Sequence, residues 1–255
     1  MVNDLLELKV RGYVAPEDFE GSDAERIQKA LDLAKSADIA KVVLTGTYRA
    51  DVPLTVPCGM HVVLDGATLY GDLQNEVIKN FNFEQDRIYI EGKNGELVGN
   101  IDFCHTRHAV LENLRIDGNV SFRVSRDLRV EYVTMSGMLN IGRGCQNAIM
   151  QHITCRGAQM DATDGGYDIM GRGRLIKNIL LRHSVLTDGA CLTAAEDCGF
   201  LNIQIDGICI QKTGVVLGKA GVTLPAELYK NLTFADIDAP EGVVLHNECL
   251  HAYIK

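Results

Sequence analysis

The hydrophobic residues of this chain recur as pairs of apolar side chains separated by a single position. Nine such pairs follow one another from residue 42 to residue 234, and consecutive pairs lie 19 to 29 residues apart. The pairs are Val42/Leu44, Val62/Leu64, Ile88/Ile90, Leu114/Ile116, Val133/Met135, Ile153/Cys155, Ile179/Leu181, Ile203/Ile205 and Leu232/Phe234. Side chains at i and i+2 point to the same face of a β-strand. A strand signature that repeats at this spacing predicts a solenoid of stacked coils.

The fold class that this pattern favours is all-β, a right-handed parallel β-helix of about nine coils. No helical pattern of 10–15 residues separates the strands after residue 40, which argues against βαβ units. An antiparallel sandwich would show turn signals every 8–12 residues and no shared internal pattern. No linker or change in composition divides the chain, so we expect one domain that covers residues 1–255.

Residues 20–38 depart from the strand pattern and predict an N-terminal α-helix. The apolar residues at helical spacing are Ile27, Ala30, Leu31 and Ala34. Ser22, followed three residues later by Glu25, forms a capping-box signature. Because the first coil of a solenoid exposes its end, we expect this helix to cover it.

Composition narrows the function classes. A hydrophobic content of 46%, with 25 glycines and 5 prolines, suits a turn-rich β-fold. The net charge of −9 argues against a nucleic-acid or anionic-membrane partner. We see neither a basic leader nor a long apolar run, and the eight cysteines include no C-x-x-C spacing. We therefore expect a cytoplasmic protein with reduced thiols.

Two stretches near the N-terminus resemble a known family. The segment LTGTY stands at 44–48 and VVLDGATLYGD at 62–72. They resemble the V-x-x-P-x-G-T-Y and L-x-L-x-x-G-A-T-L-x-G segments of polygalacturonase-type glycoside hydrolases and related pectin-active β-helix proteins. The resemblance extends to about residue 220. It implies the parallel β-helix fold and a carbohydrate substrate.

The same resemblance implies a two-carboxylate site. The family's N-T-D-G-x-D-I segment matches residues 162–169, which contain Asp164 and Asp168, and its D-D-C-I-A-I segment matches the stretch that begins at Asp188. By resemblance Asp188 is the general acid and Asp164 belongs to the base pair of an inverting enzyme. Asp164 and Asp188 lie 24 residues apart, so we expect them to stack on neighbouring coils.

The chain departs from the family pattern at three places. Gly189 stands where the family has a second aspartate, a carboxylate that Asp161 or Asp168 could supply. Thr213 stands where the family has a histidine. His246 falls near the lysine that grips the substrate's carboxylate. As an alternative reading, the aspartates before glycine are plain turn formers.

Basic residues near these aspartates are candidates for substrate binding. They are Arg143, Arg172, Arg174 and Lys212, with His183 and His246 as further candidates. A guanidinium group binds a uronic-acid carboxylate in a bidentate manner. The alternative reading is a solvated strand face. The sequence indicates no metal site and no cofactor.

Three functions remain open at this stage. The first is an inverting glycoside hydrolase that cleaves a uronic-acid-containing or related oligosaccharide. The second is a β-helix without catalysis that binds carbohydrate or serves as a structural unit. The third is a lyase or epimerase, which would use Ca²⁺ held by residues such as Asp161, Asp164 and Asp168. The expected partner is an oligosaccharide, and a homo-oligomer stays open.

Overall fold

The computed structural model describes residues 5–75, 85–162, 175–195, 198–218, 228–240 and 245–247. Residue 85 and residues 245–247 are described by their backbone. Asp164, Asp168, Arg172 and Arg174 lie outside the described residues. Within the described ranges, no helix is long and apolar enough to cross a bilayer.

Two α-helices precede the strands. The predicted helix is present as α2 (Asp23–Ser36), and Ser22 and Glu25 form the expected reciprocal cap. Helix α2 contacts the strands of the first coil, so the prediction of a capping helix is confirmed. A shorter helix, α1 (Leu5–Arg11), was not predicted, because it buries only Leu8 and shows no apolar repeat.

Within the described residues twenty-four strands follow, and they form three faces. The first face contains β1 (Lys41–Leu44), β4 (His61–Asp65), β7 (Gln85–Lys93), β10 (Thr106–Glu112), β13 (Arg126–Glu131) and β16 (Gln146–Gln151). The second face contains β2 (Thr47–Arg49), β5 (Thr68–Tyr70), β8 (Glu96–Val98), β11 (Arg115–Asp117), β14 (Thr134–Met135) and β17 (Thr154–Cys155). Three long strands run through both of these faces: β19 (Leu175–Leu186), β21 (Gly199–Ile210) and β23 (Tyr229–Asp238). The third face contains β3 (Leu54–Val56), β6 (Leu73–Asn75), β9 (Ile101–Cys104), β12 (Val120–Arg123), β15 (Met138–Gly142), β18 (Gly157–Ala162), β20 (Ala190–Ala194), β22 (Val215–Leu217) and β24 (Leu245–Asn247).

Every strand on these faces pairs in parallel with the equivalent strand of the next coil. On the third face the strand order is β24-β22-β20-β18-β15-β12-β9-β6-β3, so these nine strands stack in chain order. Neighbouring strands in a sheet lie about 4.8 Å apart. The prediction of a right-handed parallel β-helix is confirmed.

The interior is filled by columns of apolar side chains, one from each coil. On the third face Phe103 and Phe122 occupy neighbouring coils, and their buried rings meet edge to face at 6.1 Å between centroids. Because each coil is narrow, the alternation of inward apolar and outward polar residues is what fixes the strand register.

The structure corrects the predicted ladder of apolar pairs. The pairs from Val42 to Ile90 and from Ile179 to Phe234 lie on the first face, whereas those from Leu114 to Cys155 lie on the second. Both kinds of strand carry the same i, i+2 signature, so the sequence pattern merged two faces into one ladder. The number of residues per coil is therefore given by the strand pairing, which shows which residues of successive coils lie side by side.

Differences in coil length are concentrated at the corner that joins the third face to the first. A single residue, His105, separates β9 from β10, whereas residues 163–174 separate β18 from β19. The turns from the first face to the second are short throughout. The third-to-first corner therefore accommodates extra residues while the strands keep their register.

A second regular feature is an exposed ladder of amide side chains on the first face. Asn231 donates to Asn202, Asn202 to Asn178, and Asn178 to Asn147, each at 2.8 Å, and Asn147 donates to Asp127 at 2.9 Å. All five have φ between 54° and 57°. Asparagine and aspartate tolerate this left-handed conformation better than most residues, so the same residue type satisfies the backbone and the ladder.

Glycines allow the turns between the second and third faces to stack closely. Gly71, Gly99, Gly118 and Gly137 occupy equivalent positions two residues before the first inward residue of the third-face strand. A Cβ atom on Gly118 would lie 2.0 Å from the carbonyl oxygen of Gly99, and one on Gly137 would lie 2.4 Å from that of Gly118. No side chain fits at this position without a shift of the backbone.

We predict that Gly118→Ala lowers the free energy of unfolding by about 1–3 kcal/mol or more, because the methyl group overlaps backbone rather than a flexible side chain. Urea unfolding measures the change. Gly46→Ala is the matched control, since its Cβ would meet only the Tyr48 ring at 3.4 Å. Equal losses for the two variants would contradict the close-stacking argument.

We also predict that Asn178→Ala destabilises the protein more than Asn178→Gly. Both variants remove the two ladder hydrogen bonds, each worth about 0.5–1.5 kcal/mol. Alanine must in addition adopt the left-handed conformation, at a cost of about 1–2 kcal/mol. Thermal unfolding of the two variants gives the comparison, and the reverse order would show that the backbone conformation does not select asparagine.

Candidate functional site

Polar side chains follow one another along the outer surface of the third face. One outward position is filled in successive coils by a single column of residues. This third-face column consists of Thr55, Gln74, Asp102, Ser121, Asn140, Gln159, Cys191 and Val216. Hydroxyl and amide groups can both donate to and accept from the hydroxyl groups of a ligand, and a carboxylate can accept from them.

The N-terminal half of this column lines a groove with a volume of about 480 Å³. Its floor is formed by Gln74, Asp102, Ser121 and Asn140, and one wall by the turn residues before the third-face strands. Within the groove the amide of Asn140 donates to the hydroxyl of Ser121 at 3.2 Å. Asp102 accepts a hydrogen bond from Arg123 at 2.7 Å. The groove is therefore polar, and of the two carboxylates that line it, Asp72 and Asp102, the second forms an ion pair with Arg123.

Further along the chain, the glycine of the turn before the third face moves by one residue. In the first coils it lies two positions before the first inward residue, but Gly157, Gly189 and Gly214 lie one position before it. The position that glycine vacates is occupied by Arg156 and then by Asp188. Because glycine no longer occupies this position, charged side chains lie at the edge of the third face.

Arg156 and Asp188 form one cluster with Lys212, and we name these three residues the Asp188 triad. The Nε atom of Arg156 lies 2.8 Å from Oδ2 of Asp188, and Nζ of Lys212 lies 3.2 Å from Oδ1. Arg156 and Lys212 are about two-thirds exposed, and Asp188 is half as exposed. Two cations against one carboxylate leave the triad with a net positive charge.

The triad sets the protonation state of its carboxylate. The hydrogen bond from Arg156, then that from Lys212, lowers the pKa of Asp188 below its ordinary value. A general acid that works near neutral pH needs a raised pKa. In this arrangement Asp188 is ionised and orients the two cations.

Asp164 lies outside the described residues, so its stacking against Asp188 stays a prediction, but the described strands show which residue is equivalent to Asp188 in the preceding coil. Ala158 pairs with Ala190, so equivalent residues of these two coils are 32 positions apart. The residue below Asp188 is therefore Arg156, whose carbonyl accepts the Asp188 N–H at 2.6 Å. The prediction took the 24-residue separation for one coil, but the third-to-first corner lengthens this coil.

Asp161 is the other predicted carboxylate within the described residues, and it lies on the outer surface of the third face. Its Oδ1 accepts a hydrogen bond from the hydroxyl of Thr193, the equivalent residue of the next coil, at 3.2 Å. Thr193 stands three residues beyond Ala190, about 10 Å along the strand from the turn that holds Asp188. Asp161 and Asp188 thus occupy opposite ends of the third-face strands.

Gly189 cannot be replaced by the family's second aspartate on this backbone. Its φ is 87°, and a Cβ atom there would lie 2.4 Å from the carbonyl oxygen of Gly214. The missing carboxylate is therefore a consequence of how closely these coils stack.

The predicted substrate-binding residues are distributed over three corners. Lys212 belongs to the triad, whereas Arg143 lies at the third-to-first corner, directly after β15. His183 lies at the first-to-second corner, where its ring stacks on that of His152 at 5.6 Å between centroids. For His246 the strand register places the backbone opposite Val216 on the third face. The structure brings Lys212 and Asp188 together and keeps His183 apart from them.

Arg156 was missed by the sequence reasoning. The signal that could have found it is the alignment of the turns RGAQM, DGACL and TGVVL, which places Arg156, Asp188 and Thr213 at one position. The apolar pairs obscured this alignment because they mixed two faces.

Comparison with known proteins supports the fold. No family model matches the chain, and no curated protein sequence does so. Among solved structures, the chain is similar to PfbA, a surface adhesin of Streptococcus pneumoniae, with a TM-score of 0.57 and 12% identity over 90% of this chain and 72% of that one. It is also similar to endo-xylogalacturonan hydrolase from Aspergillus tubingensis, with a TM-score of 0.48 and 11% identity over 95% and 96% of the two chains. At these identities PfbA shows the β-helix fold alone, and the weaker likeness carries no argument about activity.

We predict that Arg156→Gln raises the pKa of Asp188 toward its ordinary value, and by more than Lys212→Met does, because the Arg156 hydrogen bond is the larger cause of the lowered pKa. A ¹³C NMR titration of the carboxyl carbon measures it. In the unmodified protein the ion pairs of Asp188 with Arg156 and Lys212 are fully formed at a pH above the ordinary pKa of aspartate. They are lost as the pH falls through the lowered pKa of Asp188. An unchanged pKa in Arg156→Gln would contradict the ion pair.

Proposed function

We propose that this chain binds an acidic oligosaccharide of the uronic-acid class along the outer surface of its third face. The observation that carries the proposal is the Asp188 triad. It places two largely exposed cations beside one carboxylate at the edge of a polar surface, on a chain whose net charge is −9. A local positive charge on an acidic protein favours an anionic group of the ligand at that point.

The chemistry of the triad suits a sugar carboxylate. The guanidinium of Arg156 uses Nε for Asp188 and retains other N–H donors for a second carboxylate. Lys212 offers an ammonium group from the coil that follows that of Asp188. Asp188 holds both cations in place, so less side-chain entropy is lost when the ligand binds.

The third-face column supplies the rest of the binding surface. From Gln74 to Cys191 it spans five coil steps, about 24 Å at about 4.8 Å per step. Gln159 and Asn140 lie on the same column as the groove, so a chain-like ligand can follow it from the triad toward the N-terminus. Amide and hydroxyl side chains at regular spacing favour a ligand rich in hydroxyl groups.

A second candidate function is glycoside hydrolysis on the same surface. The observation that favours it is Asp161, a carboxylate on the outer side of the third face that a threonine orients from the next coil. In this case Asp161, rather than the ionised Asp188, would be one of the two carboxylates that hydrolysis needs. The resemblance at the N-terminus and the likeness in fold provide the scaffold only.

Calorimetric titration with a uronic-acid trisaccharide and with its neutral methyl ester tests the proposal. We expect the acid form to bind and the ester to bind severalfold more weakly. Arg156→Gln and Lys212→Met should each weaken binding of the acid, because each variant removes one positive charge from the triad. Arg87→Gln, an exposed arginine on the first face, is the matched control. Equal affinity for acid and ester, unaffected by Arg156→Gln, would overturn the proposal.

A reducing-end assay on the same oligosaccharides separates the two functions. Binding without release of reducing ends supports a binding protein. Turnover that Asp161→Asn abolishes and Asp188→Asn preserves supports the hydrolase. Turnover that depends on Asp188 would contradict the role given to the triad.

A further inference from the structure

Helix α1 presents a group of apolar side chains to solvent. Of the six large hydrophobic residues that are exposed in the described part of the chain, three belong to this seven-residue helix: Leu5, Leu6 and Val10, which are 44%, 67% and 83% exposed. Successive residues of an α-helix are turned by about 100°, so these three share one side of α1 with Lys9. Leu8, the residue that α1 buries, lies on the other side. Exposed apolar side chains that cluster in this way mark interaction sites, whereas scattered ones do not. We name Leu5, Leu6, Lys9 and Val10 the α1 ridge.

A cavity with a volume of about 880 Å³ lies between helix α2 and the segment that precedes it. Its apolar surface includes Phe19 and Leu33, both of which pack, partly buried, against the core. Asp18 also lines the cavity, and its carboxylate forms an ion pair with Arg11, the last residue of α1. Helix α1 therefore ends beside the cavity, at the N-terminal end of the solenoid.

The other charged residues that line this cavity make it acidic. Glu20 and Asp32 are exposed and each contributes a carboxylate. Lys29 is the cation among the described lining residues, and its Nζ atom donates to the backbone carbonyl of Glu20 at 2.9 Å. Since Arg11 balances the charge of Asp18, two carboxylates remain against one ammonium group. A partly apolar cavity with a net negative charge favours a ligand in which apolar side chains flank a cation.

The α1 ridge has this chemistry, because its apolar side chains flank Lys9. It does not fill the cavity of its own chain, since its leucine and valine residues stay largely exposed. A second copy of the chain can supply the ridge. In a dimer with two-fold symmetry the same surface is used by both subunits, so a ridge and a cavity that adjoin on one copy meet the cavity and the ridge of the other.

We propose that the N-terminal end of the solenoid is a dimer interface, in which the α1 ridge of each copy docks in the acidic cavity of the other. The apolar side chains of the ridge pack on Phe19 and Leu33, and Lys9 pairs with the carboxylate of Asp32. Because each copy contributes only one short helix and one cavity, the interface is small, and we expect the dimer to dissociate on dilution. The interface does not involve the Asp188 triad and does not depend on the proposed function.

Light scattering coupled to size-exclusion chromatography tests the interface over a series of protein concentrations. We expect the mass to rise with concentration from 27.9 kDa to twice that value and no further. Val10→Lys should keep the protein at the monomer mass, with an unchanged circular dichroism spectrum because Val10 is exposed. Ile149→Lys makes the same kind of change at an exposed apolar residue of the first face, and this matched control should dimerise as before. A monomer mass throughout the series, or equal effects of the two variants, would overturn the proposal.

An exchange of charges provides a sharper test. Lys9→Glu and Asp32→Lys each replace attraction by repulsion at both halves of the interface, so each variant alone should be monomeric. An equimolar mixture of the two should dimerise, because the introduced glutamate of one copy meets the introduced lysine of the other, and the native Lys9 meets the native Asp32. A mixture that stays monomeric, or a dimer of either variant alone, would contradict the proposed contact.

Other occupants of the cavity give different results in the same experiments. Growth of the mass beyond a dimer would show that copies join head to tail, and it would overturn the two-fold arrangement. Binding to vesicles of anionic phospholipid that Val10→Lys abolishes, with no dimer in solution, would identify the α1 ridge as a membrane anchor. That outcome would overturn the proposal as well.

Discussion

In-register parallel pairing is the constraint on which the rest of this structure depends. Each residue has as its lateral neighbour the residue at the same position of the next coil, about 4.8 Å away. What can occupy a position is therefore decided largely by what stands above and below it. Asparagine stacked on asparagine satisfies both partners through an amide–amide hydrogen bond. Like charges at that spacing repel, and the triad avoids this by alternating arginine with aspartate.

This constraint also determines the surroundings of Asp188. Asp188 has an arginine as its neighbour, and the hydrogen bond between them lowers the pKa of the carboxyl group. The neighbouring residue, Gly189, has no room for a side chain, because the backbone of the next coil lies too close. A second carboxylate therefore does not fit at that position. Asp188 is therefore ionised beside two cations, a state in which it has no proton to donate.

The fold could be predicted from the sequence because its signals are local. Apolar i, i+2 pairs identify strands, and Ser22 with Glu25 identifies the start of a helix. The site could not be predicted to the same degree, because it depends on register, and register depends on corner length. The twelve residues between β18 and β19 lengthen one coil. Every later residue is therefore displaced from the position that a constant coil length would predict. A periodic count cannot distinguish such an insertion from a longer strand, whereas the glycine-containing turns mark the register directly.

The third-to-first corner has a further consequence. Its length varies from one residue to twelve while the paired strands on either side stay aligned. The strand pairing on both sides of this corner is therefore independent of how many residues the corner contains. Segments of different length at this corner are thus compatible with one and the same hydrogen-bonded framework.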